Sequence, residues 1–210
     1  EVLEQLLAHR EVDSVTSLAR KAVARKHPKL RAITIADFEA YDDALAVDLA
    51  SHDACLWTLG GKASDFASEE GYAKVTHDYT LALANVFAKS GRGISFCYLS
   101  GMGADPTESA RLPWERKTRH LKGRTEKDLA ALSAAHPSFT AYAFRPGGIL
   151  PRDSNVLKGL FLSPIALRVD ELAAAMIRIA LEGSPLRLLD NGMIRAAGND
   201  ALANGKATET

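Results

Sequence analysis

The stretch WERKTRHLKGRTEKDL, residues 114–129, is predicted to form an amphipathic helix with Thr118 one turn before Lys122. Residues four apart share a helix face, so this hydroxyl and this ammonium would point into one cleft. A second hydroxyl, Ser100, directly follows the apolar run ISFCYL. A serine there either holds a substrate carbonyl or hydroxyl group, or it caps and turns the chain. Moving a proton to or from an alcohol oxygen needs a group whose pKa can be brought near the working pH, and such catalysis gives about 10²- to 10⁴-fold. Threonine's hydroxyl has a far higher pKa, and the indole of Trp114 only donates. His120 titrates in the right range but stands two positions before Lys122, on a different helix face. Tyr98 and Tyr142 fall inside predicted strands, and Glu126 and Asp128 are expected on a solvated helix face.

The remaining chemistry-bearing residues exclude other classes. The six histidines are dispersed, with no pair at metal-ligand spacing, so no metal site is expected. Ser100 sits in LSGMG, not in a GxSxG elbow, and has no evident triad partner. The 26 basic residues balance the 26 acidic ones and form no stripe, which argues against nucleic acid as a partner. Cys55 and Cys97 lie in the apolar runs DACLWTL and ISFCYL and read as buried small hydrophobes in a reducing compartment. No apolar run is long enough to span a bilayer, and the visible start has no signal-peptide pattern. A soluble, cytoplasmic protein with a small-molecule substrate is the expectation.

The elements that must position these residues alternate. Val2, Leu3, Leu6 and Leu7 open the chain in an amphipathic helix, and SVTSLA (14–19) and LRAITI (30–35) follow as strands. DACLWTL (53–59) is a third strand, residues 72–89 a helix closed by Ser90 and Gly91, and ISFCYL (94–99) a fourth strand. After the helix at 114–132 come a strand at 139–145 and a helix at 169–182. Leu186–Leu189 and Met193–Ala196 read as short final strands, and a polar tail at 198–210 is expected to fray. At 210 residues this is one domain over 1–197, with pocket elements at 146–196.

Near-continuous apolar strands alternating with helices specify an α/β fold: a doubly wound, Rossmann-type parallel sheet covered on both faces. Ligands in such sheets bind beyond the carboxyl ends of the strands. Attention therefore falls on Arg20, Asp37, Gly60, Ser100 and Arg145. The doubly wound pattern begins with a strand and a glycine-rich turn that holds pyrophosphate at a helix start. Here the pattern begins at the helix, so the first strand and glycine-rich loop are expected to be missing from the sheet, between the strands ending at Arg20 and Gly60. Roughly 10 to 20 further upstream residues would supply them.

With these positions fixed, HDACLWTLGG, YLSGMGADPTES, WERKTRHLKGRTEKDL, YAFRPGGILP and LLDNGMIR together resemble the atypical short-chain dehydrogenase/reductase family. The resemblance is to its small NAD(P)H-binding members, related to nucleoside-diphosphate-sugar epimerases, and runs to about Ala197. It implies that Arg20 meets an adenosine 2′-phosphate, which favours NADP over NAD. The alternative is an arginine on a solvated loop. By the same resemblance Asp37 receives the adenine amino group, with the backbone of Phe38 nearby, although an aspartate there also suits a turn or cap. Gly60 and Gly61 would let the backbone pass close to the cofactor, or simply turn the chain. Ser100 resembles the active-site serine. Lys122 resembles the lysine that binds the nicotinamide ribose and lowers the pKa of a partner tyrosine. Arg145 and Pro146 would pass the nicotinamide end, with 147–165 as the pocket lid.

The family's tyrosine, one turn before its lysine, is replaced by Thr118. An insertion of about one turn in ERKTRHLK would leave Trp114 and Lys122 on one face. Three readings follow: an oxidoreductase-like protein acting on a small carbonyl or alcohol, with Thr118 or a water carrying the proton; a silent nucleotide sensor or interaction protein; and a non-redox cyclase or isomerase. By analogy with the fold, homodimerisation would use the helices at 72–89 and 114–132.

Overall fold

The computed structural model describes residues 1–109, 115–153 and 165–207. Trp114 and most of the expected lid lie outside them. The first half of the chain forms α1 (Val2–Ala8), β1 (Val15–Ala19), β2 (Leu30–Thr34), α2 (Asp43–Leu49) and β3 (Ala54–Trp57). It continues through α3 (Glu69–Ala73), a π turn at Lys74–Asp78, α4 (Tyr79–Lys89) and β4 (Ile94–Leu99). The second half adds α5 (Arg116–Ala135), β5 (Phe139–Phe144), β6 (Gly148–Leu150), β7 (Ala166–Arg168), α6 (Val169–Glu182), β8 (Leu188–Leu189) and α7 (Asn191–Ala207).

Every strand pair is parallel: β1 with β2, β6 with β7, and β3-β4-β5-β8 in that order. Both faces of the central sheet are covered, as the apolar runs demand. Strand side chains alternate between faces. Phe96, Tyr98, Phe139 and Ala141 point to one side, where they pack with Leu83 and Phe87 of α4 and Leu129 of α5. Cys97, Tyr142 and Phe144 point to the other, where Leu172, Met176 and Ile179 of α6 and Ile194 of α7 cover them.

No strand lies between β1 and β3 among the described residues. The space holds a cleft of about 610 Å³ walled by β1, β3, α1, α4 and α6. The β1-β2 pair stays attached through Phe38, which is buried and sits edge-on to Trp57 with ring centroids 6.0 Å apart.

Three elements differ from the sequence expectation. The helix expected at 72–89 starts earlier, at Glu69, because Ser68 Oγ accepts the Gly71 amide at 3.0 Å and caps it. It is then interrupted by the π turn, inside which the Thr76 carbonyl accepts the Thr80 hydroxyl at 2.8 Å. Met193–Ala196 is helix, not strand: Asp190 Oδ1 accepts the Met193 amide at 2.9 Å and starts α7, and Ile194 is fully buried. Residues 198–207 of the expected frayed tail instead continue that helix, seated on α6 at Gly198, and 208–210 lie outside the described residues. A Cβ at Gly198 would stand 2.1 Å from the Glu171 carbonyl oxygen.

Candidate functional site at the carboxyl ends of the strands

Because β3, β4, β5 and β8 are parallel neighbours in one sheet, the residues that follow β3, β4 and β5 collect on one edge. Ser100 directly follows β4, and its amide donates to the Phe144 carbonyl at 2.8 Å. Ser100 is 2% exposed, and among the described residues its buried hydroxyl has no hydrogen-bond partner. Lys122 reaches it from α5, donating from Nζ to the Ser100 carbonyl at 2.8 Å. The lysine stem lies over Gly101, where an added Cβ would be 3.6 Å from both Cδ and Nζ. Burial lowers the pKa of Lys122; Glu126 opposes this, and the nearby Lys62 charge adds to it.

The segment after β4 is clamped to α5 so that this contact is held. Gly123 permits the approach, since a Cβ would stand 2.1 Å from the Asp105 carbonyl carbon. The Asp105 amide donates to the Arg119 carbonyl at 2.9 Å, and Arg119 Nε donates to the Gly103 carbonyl at 2.6 Å. The Met102 amide donates to the Pro146 carbonyl at 2.8 Å and ties this segment to the one after β5.

The structure thus brings Ser100 and Lys122 together. Thr118, one turn earlier, has its hydroxyl engaged: Oγ1 accepts the Ala63 amide at 3.0 Å and donates to Glu115 Oε2 at 2.9 Å. It anchors the loop that follows β3. Gly60 in that loop has φ +142°, and a Cβ there would meet nothing within 4 Å. Gly61 is more crowded, since a Cβ would be 3.0 Å from Asp65 Oδ2.

Arg20 is exposed beyond β1. Asp37 is exposed and its Oδ1 accepts the Glu39 amide at 3.1 Å, a turn role. Arg145 does not reach into open space: its guanidinium grips Glu126, with Nε 2.9 Å from Oε1 and 3.2 Å from Oε2, and Nη2 on Oε2.

Glu126 is the residue that sequence reasoning misplaced. It was expected on a solvated face, but it is 8% exposed because α5 turns that face toward the Arg145 segment. The available signal was its spacing, four residues after Lys122. His120 buries Nε2 without a hydrogen-bond partner among the described residues, whereas the buried phenols of Tyr72 and Tyr98 lie near the hydroxyls of Thr118 and Thr125. Burial raises the Tyr98 pKa. Among the described residues no group of acidic, histidine and cysteine side chains is placed to hold a metal. No described helix is long and apolar enough to cross a membrane.

The parallel sheet and the helices on both of its faces are a fold shared with solved dehydrogenase, epimerase and dehydratase structures. No family model and no curated protein sequence matches the chain. Solved structures do. WbmF of Bordetella bronchiseptica, in complex with NAD+ and UDP, aligns at TM-score 0.70 and 14% identity over 97% of this chain and 74% of its own. A short chain dehydrogenase from Burkholderia cenocepacia in complex with NADP aligns at 0.66 and 17% identity, over 99% and 88%. DesIV, the dTDP-glucose 4,6-dehydratase of Streptomyces venezuelae with NAD and TYD bound, aligns at 0.67 and 15% identity, over 98% and 77%. At such identities the likeness is one of fold.

Proposed function

We propose that the protein binds a nicotinamide dinucleotide, NADP ahead of NAD, at the carboxyl ends of the strands and acts there on a carbonyl or alcohol group. The observation that carries this reading is the Lys122–Ser100 contact beside a buried, unpartnered serine hydroxyl. A hydroxyl without a partner in a buried place is costly unless something fills the role, and a substrate oxygen would. The fold neighbours include complexes with UDP and with TYD, which supports a sugar-nucleotide substrate ahead of a free small carbonyl.

The residues fit such a cofactor at its two ends. Lys122 would hold the nicotinamide ribose, and exposed Arg20 would take an adenosine 2′-phosphate, for which a guanidinium is suited. Phe38 and Asp37 would line the adenine, and the loop at Gly60 and Gly61 would run beneath the middle. A bound nicotinamide supplies the redox chemistry. For the pyrophosphate the described residues offer no glycine-rich turn leading into a helix. Arg145 is held by Glu126, so its part, with Pro146, is to shape the nicotinamide end of the site.

A second reading, binding without turnover, has its own observation. The Thr118 hydroxyl donates to Glu115, so neither a phenol nor a free hydroxyl stands one turn before Lys122. Titration with NADPH and NADH, followed by nicotinamide fluorescence, tests the first claim. Binding of both with NADPH tighter is expected, and Arg20→Ala should weaken NADPH more than NADH. Folded protein that binds neither would overturn the reading, and equal loss for both would remove Arg20 from it.

A further inference from the structure

The turn before Lys122 carries no phenol, yet a proton-bearing group already stands at the centre of the site. An ammonium has three N–H donors. Lys122 Nζ gives one to the Ser100 carbonyl at 2.8 Å, which fixes the nitrogen beside the residue whose buried hydroxyl has no partner among the described residues. The lysine stem lies along Gly101, with Cδ and Nζ each 3.6 Å from where a Cβ would stand. The nitrogen is thus held between α5 and the segment after β4, and two of its N–H groups are left for ligands. The Thr118 hydroxyl, one turn away, is engaged with Ala63 and Glu115.

The charges around this nitrogen come from three elements. Glu126, one turn further along α5, favours the ammonium, but Arg145 grips its carboxylate from the segment after β5. Lys62 faces the nitrogen with like charge from the loop after β3. That loop is pinned, since the Lys62 amide donates to Asp65 Oδ2 at 2.7 Å and the Ala63 amide to Thr118 Oγ1 at 3.0 Å. Burial first, and then the Lys62 charge, lower the Lys122 pKa from the ordinary 10.5 against the pull of Glu126. A desolvated lysine beside a second cation is the arrangement that readies an amine for proton chemistry.

We infer, resting on the nucleotide-binding reading above, that the Lys122 ammonium is itself the proton donor of this site, with Ser100 positioning the substrate oxygen beside it and Lys62 tuning it. As the carbonyl carbon receives a hydride from a dihydronicotinamide, which is thereby oxidised, the carbonyl π pair moves onto oxygen. A Lys122 N–H bond breaks and an O–H bond forms, so the carbonyl is reduced to an alcohol. The lysine is left as a neutral amine beside the Ser100 carbonyl and regains its proton from water. Lys62 eases the first transfer, because a like charge nearby disfavours the ammonium and not the amine.

One readout needs neither nucleotide nor substrate. Side-chain NMR of the whole protein follows the Lys122 Cε shift across pH, with the signal assigned by its loss in Lys122→Arg. Its midpoint should lie below 10.5, and Lys62→Gln should raise it. A midpoint at the ordinary value, or one that Lys62→Gln leaves in place, would overturn this role. The other readout is NADPH oxidation with trifluoroacetophenone at saturating nucleotide. A donor must carry its proton, so the rate should be level at low pH and fall about tenfold per pH unit above the Lys122 midpoint. Lys62→Gln should carry that fall upward together with the midpoint. Lys122→Arg keeps the charge but does not release its proton, so NADPH should still bind while the rate drops by about 10²-fold or more. If Lys122→Arg loses NADPH as well, the Lys62→Gln shift of the rate profile decides. An unchanged rate in Lys122→Arg, a rate that rises with pH, or wild type that binds NADPH and reduces nothing would each overturn the assignment. Wild type that binds no nucleotide fails earlier, in the fluorescence titration, and removes the underlying reading and this role together.

Discussion

Arg145 closes a two-pronged grip on Glu126, four residues beyond Lys122 on α5, with side-chain exposures of 20% and 7%. The pair bolts the segment after β5 to the helix that carries the lysine. Burying two charges is rarely a net gain, but removing one partner leaves the other uncompensated, at about 3–5 kcal/mol. Glu126→Met and Arg145→Met should each cost about that much in urea unfolding. The double variant, with both charges gone, should recover most of the loss. Purely additive losses would show that the two side chains do not act as a unit.

Lys122 gives a pH dependence with a definite sign. Burial lowers its pKa below the ordinary 10.5, so in the window under that value the unfolded chain binds more protons than the folded one. Stability contributed by this group therefore rises with pH through the alkaline range up to about 10.5. Lys122→Met lacks that rise. Wild type minus variant, followed by urea unfolding from neutral pH upward, should climb across that window. A flat difference would mean that the ammonium is solvated in the folded state.

Gly123 tests whether the clamp on the segment after β4 holds the site. A methyl at this position would press on the Asp105 carbonyl carbon at 2.1 Å, while one at Gly93 would meet nothing within 4 Å. Gly123→Ala should cost about 1–3 kcal/mol and weaken nucleotide binding, because the displaced segment carries Ser100. Gly93→Ala should stay within about 0.5 kcal/mol of wild type. Similar behaviour of the two would remove the close approach from the account.

What the sequence disclosed here is what local patterning controls. β4 and the helix at Val169–Glu182 fall where their apolar runs place them, and the parallel sheet follows from runs that are apolar on both faces. The pairing of Ser100 with Lys122 was legible because each follows or faces a strand end. Glu126 was not, since its burial depends on how α5 is rotated against the Arg145 segment, which no local pattern encodes. Met193–Ala196 looked like a strand because four residues cannot distinguish a short strand from a helix turn. The cap at Asp190 and the contact at Gly198 decide it. The π turn at Lys74–Asp78 was equally invisible. The cleft between β1 and β3 was not legible, since its apolar walls come from α1, α4 and α6 together.

Thr118 sits one turn before Lys122, where the family resemblance would place a phenol. Its hydroxyl instead accepts from the Ala63 amide and donates to Glu115. If its role is to anchor the loop after β3, Thr118→Val should cost about 1 kcal/mol in stability and leave any NADPH-dependent ketone reduction unchanged. Thr118→Tyr would set a phenol one turn before Lys122, whose charge lowers a neighbouring phenol's pKa. Reduction of activated ketones should then rise by about 10²-fold or more, read as NADPH oxidation at saturating nucleotide. Loss of the basal rate in Thr118→Val would instead make the threonine the proton carrier. An unchanged rate in Thr118→Tyr, with nucleotide still bound, would mean that the substrate oxygen does not lie above the Ser100–Lys122 pair.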